Sequence, residues 1–322
     1  MKSSEIDQAV AILKCGGLVA FPTETVYGLG ADASSAGALR KLYAAKGRPA
    51  EHPVIVHLAD VAQLPLWARE VTPIARKLAR KFWPGPLTLV MLRAPGVSDA
   101  VTGGQDTIGL RVPAHPVAHA LLEKFGGGIA APSANRFGRV SATTAQHVRQ
   151  EFGAAVDLVL DGGQSEVGIE STIVDATGAR PVLLRPGGIA ARAIEQAAGA
   201  SLGAPQAEAP RVPGSLAAHY APATPLQLLE DDLLLELAAT LTRQGKRIAV
   251  LARSAQRPLL TGLTWIAAPR DPREYAHDLY SNLRELDAEE CEVILVERPP
   301  QLPEWAAIND RLGRAATGSR RL

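Results

Sequence analysis

The spacing of apolar residues predicts alternating helices and strands over the first two thirds of the chain. Ile6, Val10 and Leu13 share one face of a helix, and a glycine pair ends that helix before an apolar strand at 18–21. Further strands are predicted at 54–58, 87–92, 107–112, 128–131, 156–160, 171–175 and 181–184, and helices at 35–45, 116–124, 144–152 and from Thr72-Pro73. This alternation indicates a layered α/β domain, and strands that follow each other closely near its end favour a mixed sheet.

The pattern fails between residues 199 and 225, where alanine, glycine and five prolines dominate. Proline stiffens such a segment toward extended geometry, so we predict a linker that runs across a surface. Afterwards a compact pattern resumes, with helices near 231–243, 272–286 and 304–316 and strands at 247–251 and 292–297. The predicted organisation is therefore a first domain at 1–198, a proline-rich linker at 199–225, and a small Rossmann-like α/β domain at 226–322.

Composition limits the classes of function. A chain of 322 residues with 47% hydrophobic residues is long enough for about two domains with ordinary cores, and its formal net charge of +1 provides no general attraction for nucleic acid. The two cysteines, Cys15 and Cys291, lie far apart, and no apolar run is long enough to span a bilayer. We predict a soluble cytoplasmic protein whose ligand contacts come from local clusters.

One such cluster follows the first strand. The segment FPTETVYGLGADA brings Thr23, Thr25 and Tyr27 next to glycines, and the following helix ends at Lys46-Gly47-Arg48-Pro49. A lysine and an arginine in one tight loop suit phosphate oxygens, the lysine as a point charge and the arginine as a fork. The alternative is a helix end that carries two solvated cations.

Three further segments place polar groups within or directly after predicted strands. Arg111 lies in the otherwise apolar segment TIGLRVP, where a carboxylate would give it a bidentate partner, and Arg185 precedes a glycine turn. A solvated loop position is the alternative for Arg185. Ser133 and Asn135 follow a strand, so they either close a turn or hydrogen-bond a ligand. Ser133 lacks the nucleophile elbow of serine hydrolases.

The remaining motifs give little evidence for a functional site. Gly28 to Ala33 matches a dinucleotide-binding fingerprint, but Pro22 and the Thr-Glu-Thr run interrupt the strand that should precede it, so we predict a turn that supports the pocket. His52 and His57 are spaced too loosely for a zinc motif. The arginine-containing tail at 311–321 lacks interleaved aromatic residues and is predicted to be a solvated helix end.

Seven segments, in order, resemble the YrdC-like family of threonylcarbamoyl-AMP synthases: FPTETVYGLG, KGRP, FWPGPLT, TIGLRVP, PSAN, GIESTIVD and LLRPGG. The segments PGSLAAHYAP, DLYSNLRELD and NDRLGRAA are similar to the long, two-domain form. The resemblance implies a mixed, twisted YrdC-like sheet with flanking helices, and a linker that crosses the active site.

The resemblance also implies a reaction. Such enzymes combine L-threonine, bicarbonate or CO2, and ATP into threonylcarbamoyl-AMP and pyrophosphate, with Mg2+ bound mainly through the ATP phosphates. A downstream tRNA threonylcarbamoyl transferase complex then modifies the adenosine beside the anticodon, and weak RNA binding stays open. No membrane association and no metal site built from side chains is implied.

The implied site residues divide into two sides. Those on the threonine side are Thr23, His57, Arg111 and Ser171. Those on the ATP side are Lys46, Arg48, Thr107, Ser133, Asn135, Ser141, Arg185 and, from the linker, Tyr220. Catalysis would rest on Lys46, Arg48 and Arg111 through positioning and electrostatics, without a protein nucleophile.

Two alternatives belong to other classes. One is an RNA-binding module without catalysis, because YrdC-like domains present a basic concave surface, and salt-dependent RNA binding without ATP turnover would favour it. The other is a nicotinamide-dependent oxidoreductase built on the glycine run. Binding assays with NAD and ATP side by side would separate these two.

Overall fold

The computed structural model describes residues 3–204 and 209–319, so residues 205–208 of the predicted linker and residues 320–321 of the predicted tail lie outside it. The chain forms two compact units. The first comprises Met1–Phe137 and Ala142–Ser215, and the second comprises Gly138–Ser141 and Leu216–Leu322. In the described part of the chain, no helix is long and apolar enough to cross a membrane.

The first unit is built on a mixed nine-stranded sheet in the order β7-β1-β2-β6-β3-β5-β4-β8-β9. Its strands are β1 (Val19–Phe21), β2 (Gly28–Asp32), β3 (Ile55–His57), β4 (Leu87–Leu92), β5 (Thr107–Arg111), β6 (Ile129–Ala130), β7 (Leu158–Val159), β8 (Thr172–Asp175) and β9 (Val182–Arg185). The pair β3 and β5 is parallel, whereas β4 runs antiparallel to β5. The predicted mixed sheet is confirmed.

Helices flank this sheet and bury their apolar faces against it. They are α1 (Ser3–Lys14), α2 (Ala36–Lys46), α3 (Leu64–Trp67), α4 (Pro73–Phe82), α5 (Asp99–Thr102), α6 (Pro116–Phe125), α7 (Ala145–Phe152) and α8 (Ala191–Ala198). Local sequence sets their ends: the Ser35 hydroxyl caps α2 by accepting a hydrogen bond from the Ala38 N–H, and Gly47 ends α2 with φ 61°. The cap at Gly47 fixes where Lys46 and Arg48 leave the helix.

The glycine run that was predicted to form a turn is strand β2. Gly28 pairs with Phe21 and Gly30 with Val19 across the antiparallel β1–β2 ladder. A Cβ atom on Gly30 would lie 2.8 Å from Cε1 of Phe21 and 3.0 Å from the Val19 carbonyl oxygen. The glycines are therefore needed for close packing around a buried phenylalanine ring, which the sequence pattern does not distinguish from a turn.

The second unit contains a four-stranded sheet in the order β10-β13-β11-β12, and all its strands are parallel. The strands are β10 (Leu226–Leu229), β11 (Ile248–Ala252), β12 (Leu263–Ala267) and β13 (Val293–Glu297), and the helices are α9 (Asp231–Arg243), α10 (Pro272–Ala288) and α11 (Ala306–Ser319). This sheet confirms the predicted small Rossmann-like fold. The sequence pattern missed β12, whose five residues are mostly half-buried.

Arg311 contradicts the predicted solvated tail. Its side chain is only 1% exposed and forms an ion pair with Asp310 at 2.6 Å. The Arg311 guanidinium also lies 5.0 Å from the ring centroid of Tyr220. A cation over an aromatic ring is stabilised when both are removed from water, and no sequence signal indicated that this ring would be near.

We predict that Gly30→Ala lowers the free energy of unfolding by about 1–3 kcal/mol, because the new methyl group displaces the buried Phe21 ring. The measurement is chemical denaturation followed by circular dichroism. Gly37→Ala is the matched control, since its Cβ would meet no atom closer than 3.8 Å inside α2. Helix propensity predicts that this control is neutral or stabilising. Equal losses in both variants would contradict the packing argument.

Candidate active site

The polar centre of the first unit begins with two neighbouring strand ends. In the parallel β3–β5 ladder, His57 pairs with Arg111, so both side chains lie at the carboxyl ends of adjacent central strands. Both are nearly fully buried, at 3% and 4% exposure. The carboxyl ends of parallel strands are where α/β sheets usually bind ligands.

Arg111 is held by a buried ion pair. Its Nη2 donates to Oε1 of Glu24 at 2.7 Å, its Nη1 donates to the Thr25 hydroxyl at 2.9 Å, and its Nε donates to the Gly85 carbonyl oxygen at 3.3 Å. The second Glu24 oxygen accepts from the Ala114 N–H at 3.1 Å. A guanidinium has five N–H donors, so two stay available for a ligand within the described contacts.

The loop between β1 and β2 presents Glu24 through a compact hydroxyl turn. The Thr23 hydroxyl donates to the Val26 carbonyl oxygen at 2.6 Å and lies 2.8 Å from the Thr25 hydroxyl. Thr23 was predicted from the sequence as a site residue, whereas Glu24 was not. The available signal was a carboxylate between two threonines directly after a buried strand, where a charge needs a partner.

His57 is a neutral imidazole. Burial, followed by the positive charge of Arg111, lowers the pKa of His57 to about 3. Its ring meets the Phe21 ring edge to face at 6.1 Å, and its Nδ1 has no hydrogen-bond partner among the residues that the structure describes. The side chain therefore offers an uncharged nitrogen beside a charged guanidinium.

A second cluster joins the end of α2 to the segment after β6. Lys46 Nζ donates to the Ser133 carbonyl oxygen at 2.6 Å and also to the Asn135 carbonyl oxygen. Burial, and then the nearby Arg48 charge, lower the pKa of Lys46 well below its usual value, while Glu151 opposes this change. The structure thus brings the predicted Lys/Arg and Ser/Asn pairs together around one buried ammonium group.

Arg48 occupies the rim of the same cluster. Its Nη2 donates to the Pro53 carbonyl oxygen at 2.7 Å, and its guanidinium lies 5.9 Å from the Phe137 ring centroid. The Phe137 N–H in turn donates to the Lys46 carbonyl oxygen at 2.8 Å. These contacts fix the loop between the two cations, as the adjacent proline suggested.

A third cluster forms where β8 begins and β9 ends. Ser171 lies 2.8 Å from the Thr88 hydroxyl and accepts from Arg185 Nη2 at 3.1 Å. Arg185 also donates to the Ser171 carbonyl oxygen at 2.9 Å and to the Pro213 carbonyl oxygen at 2.8 Å. The structure therefore links Arg185, assigned by resemblance to the ATP side, directly to Ser171, assigned to the threonine side.

The segment that follows residue 208 lies against the sheet of the first unit. Val212 packs with Ile55, Val90 and Ile173. Thr107, at the opposite end of β5 from Arg111, lines a small pocket together with Thr88 and Val212. The five-residue length of β5 puts the Thr107 and Arg111 backbones about 13 Å apart.

Ser141 and Tyr220 belong to the second unit. The Ser141 carbonyl oxygen accepts from Arg284 Nε at 3.2 Å. The Tyr220 ring is stacked on Tyr280 at 5.8 Å and its backbone has a φ of 60°, which is uncommon for a bulky residue. Their assignment to the ATP side stays a prediction.

Family models match almost the whole chain. The Sua5/YciO/YrdC model, described as telomere recombination, matches residues 11–187, and the model of the threonylcarbamoyl-AMP synthase C-terminal domain matches residues 189–317. The chain belongs to the Sua5/YrdC family. The resemblance drawn from the seven ordered segments is confirmed.

Two curated relatives match nearly the full length of the chain. The threonylcarbamoyl-AMP synthase of Pyrococcus abyssi is 38% identical, with 96% of this chain and 93% of that protein covered. The Bacillus subtilis threonylcarbamoyl-AMP synthase is 39% identical, with 98% and 93% covered. The crystal structure of P. abyssi Sua5 complexed with L-threonine superposes with a TM-score of 0.90 at 36% identity, covering 99% of this chain and 96% of that chain.

We predict that His57 makes the first unit less stable in acid. Between about pH 6.5, the usual histidine value, and the folded pKa of about 3, the unfolded chain binds a proton that buried His57 does not. The stabilisation is complete above about pH 6.5 and decreases as the pH falls. At pH 5 the free energy of unfolding is lower by about 2 kcal/mol because of His57. Urea unfolding at pH 7 and pH 5 should show that the free energy of unfolding falls less in His57→Gln than in the wild type. An equal fall in both proteins would contradict a buried, neutral His57.

Proposed function

We propose that this chain is a threonylcarbamoyl-AMP synthase, which condenses L-threonine, bicarbonate or CO2, and ATP into threonylcarbamoyl-AMP and pyrophosphate. The observation that carries the proposal is the similarity to curated threonylcarbamoyl-AMP synthases over nearly the full length of both chains. The P. abyssi relative has been solved with L-threonine bound, which supports an amino acid as one substrate. The chemistry is adenylyl transfer.

The Arg111–Glu24 pair supports the threonine side of this proposal. A free amino acid carries a carboxylate and an ammonium group, and the pair offers a guanidinium and a carboxylate side by side, 2.7 Å apart. Arg111 would receive the threonine carboxylate through its two remaining N–H groups. Thr23, His57 and Ser171 complete the proposed threonine side, where a neutral His57 avoids repelling the ammonium group.

The Lys46 cluster supports the ATP side. Burial lowers the pKa of the Lys46 ammonium because its charged form has lost contact with water. A phosphate bound beside it would stabilise the charged form. Arg48 adds a fork for phosphate oxygens, and Ser133 and Asn135 add hydroxyl and amide groups. Thr107, Arg185, Ser141 and Tyr220 are the remaining residues of the proposed ATP side.

The proposed reaction requires orientation rather than a protein nucleophile. The threonine amine adds to CO2 and loses a proton, which gives a carbamate. A carbamate oxygen then attacks the α-phosphorus of ATP, and the bond to pyrophosphate breaks. Lys46 and Arg48 would offset the negative charge of the phosphates, while Arg111 holds the amino acid in line for attack.

Mg2+ is part of the proposal as a companion of ATP. Among residues 3–204 and 209–319 no group of three histidine, cysteine or acidic side chains could hold a metal ion. The side chains of the proposed ATP side near Lys46 carry cationic, amide and hydroxyl groups, which suit phosphate oxygens. Mg2+ would therefore be held mainly by the triphosphate, whose charge it would partly neutralise.

The product links this chain to tRNA modification. An acyl adenylate is an activated donor, so we propose that a tRNA threonylcarbamoyl transferase complex consumes it to modify the adenosine beside the anticodon. Weak RNA binding by this chain belongs to the same proposal. A linker that crosses the active site would enclose the adenylate until it is transferred.

The function is tested by pyrophosphate release. Purified protein given ATP, Mg2+ and bicarbonate should release pyrophosphate when L-threonine is present and at least about tenfold less when it is absent, because the attacking carbamate derives from threonine. Mass spectrometry should detect threonylcarbamoyl-AMP in the same samples. Equal pyrophosphate release with and without threonine would overturn the proposal.

Two substitutions should separate the proposed sides. Arg111→Lys keeps the charge but loses the fork, so we expect threonine affinity to fall about 10- to 100-fold with little change for ATP. Lys46→Met removes a phosphate partner, so ATP affinity should fall at least about tenfold with little change for threonine.

Isothermal titration calorimetry with each substrate makes the comparison. Exposed Arg69→Lys and Lys41→Met, the latter on the same helix as Lys46, are matched controls that should bind both substrates as the wild type does. If Arg111→Lys and Lys46→Met both lost affinity for the same substrate, the division into two sides would be contradicted.

A further inference from the structure

The carboxyl edge of the second sheet has the geometry of a ligand site. Strands β11 and β13 are parallel neighbours in its centre. The chain leaves β11 toward β12 on one side, whereas β13 leads to α11, which packs on β10 at the other side. In open α/β sheets, the crevice between two strands whose connections diverge in this way is where ligands bind.

The loop after β11 forms an anion-binding nest at this crevice. The backbone N–H groups of Arg253, Ser254 and Ala255 all donate to Oε2 of Glu297, at 2.7, 2.7 and 3.0 Å. The Ser254 hydroxyl donates to Oε1, and Arg253 Nη2 lies 3.5 Å from the same oxygen. Successive N–H groups that converge on one point are a recurrent way to bind phosphate or carboxylate oxygens.

The carboxylate in the nest is sealed from solvent. The Glu297 side chain is 0% exposed. Burial by itself raises the pKa of Glu297, but the hydrogen bonds from the Ser254 hydroxyl and from the three N–H groups outweigh burial and hold the pKa below its usual value. The group is therefore an ionised carboxylate at a site that selects for negative charge.

Arg253, whose side chain contacts the Glu297 carboxylate, connects the nest to two aromatic rings. The Tyr275 ring meets the Trp305 ring at 5.4 Å, and the Arg253 guanidinium lies 5.7 Å from the Trp305 centroid. The Tyr275 hydroxyl is buried without a hydrogen-bond partner among the residues that the structure describes. An unpaired buried hydroxyl is costly in a core, and a bound ion or water is one of the ways in which such a group is satisfied.

We propose that the carboxyl edge of the second sheet is an anion-binding site of the size of an acetate group, which the chain itself occupies with the Glu297 carboxylate. The inner donors are backbone N–H groups, so the nest does not depend on the side chain at position 297. In the wild-type protein this self-occupation excludes small carboxylates from the edge. Removing the side chain makes the site available to a free anion.

Truncation of Glu297 gives a direct test. Glu297→Ala keeps Cβ and removes a fragment that matches acetate, so acetate should fill the vacated nest. We expect the variant's calorimetric unfolding midpoint to fall by about 5–10 °C, and about 200 mM acetate to restore at least about half of that loss. Acetamide at the same concentration is the neutral probe of equal shape and should restore nothing, at matched ionic strength.

Three proteins serve as controls. The wild type and Glu297→Gln, whose nests are filled, should show no acetate-specific shift. Glu292→Ala removes an exposed carboxylate of the same unit and should also show none. If acetate and acetamide act equally on Glu297→Ala, or if neither restores the midpoint, Glu297 only supports its loop and the proposal is overturned.

A refolding experiment tests the proposal if Glu297→Ala does not fold without a bound anion. If Glu297→Ala is recovered unfolded, its refolding yield is measured in acetate and in acetamide. A yield that is several-fold higher in acetate supports an anion-specific nest. Equal yields in the two probes overturn it.

Discussion

The first unit depends on one buried ion pair, between Arg111 and Glu24. Their side chains are 4% and 6% exposed, so removing both charges from water is costly. That cost is offset because Thr25, Gly85 and the Ala114 N–H supply further hydrogen bonds to the same two groups. The loop between β1 and β2 is therefore held against the end of β5, and the polar centre is organised before any ligand arrives.

The same constraint explains the chemistry around the pair. Burial, and then the positive charge of Arg111, lower the pKa of His57 and keep its imidazole neutral, and burial of Lys46 lowers the pKa of its ammonium group. Charges in such surroundings interact strongly with an arriving substrate, because little water screens them. In the proposed function, an amino-acid carboxylate would bind the desolvated Arg111 guanidinium, and phosphates would bind the desolvated Lys46 ammonium group.

The second unit also buries a charged group, but there backbone N–H groups stabilise it. Its sheet ends in a nest of backbone N–H groups, and the chain supplies the anion from its own Glu297. An internal carboxylate needs no association entropy, so it stays bound at any ligand concentration. The Rossmann-like fold thus has a stable edge without a bound small molecule.

The alternating α/β pattern, the second small domain and the basic and polar residues of the first unit could be predicted from the sequence, because they depend on local periodicity and on ordered motifs. The partners of those residues could not be predicted in this way. Glu24 as the counterion of Arg111, strand β2 in place of a glycine turn, and the burial of Arg311 over Tyr220 all join residues distant in sequence or need a neighbouring ring. Only tertiary structure decides such contacts, since the energy of a buried charge is set by what surrounds it in space.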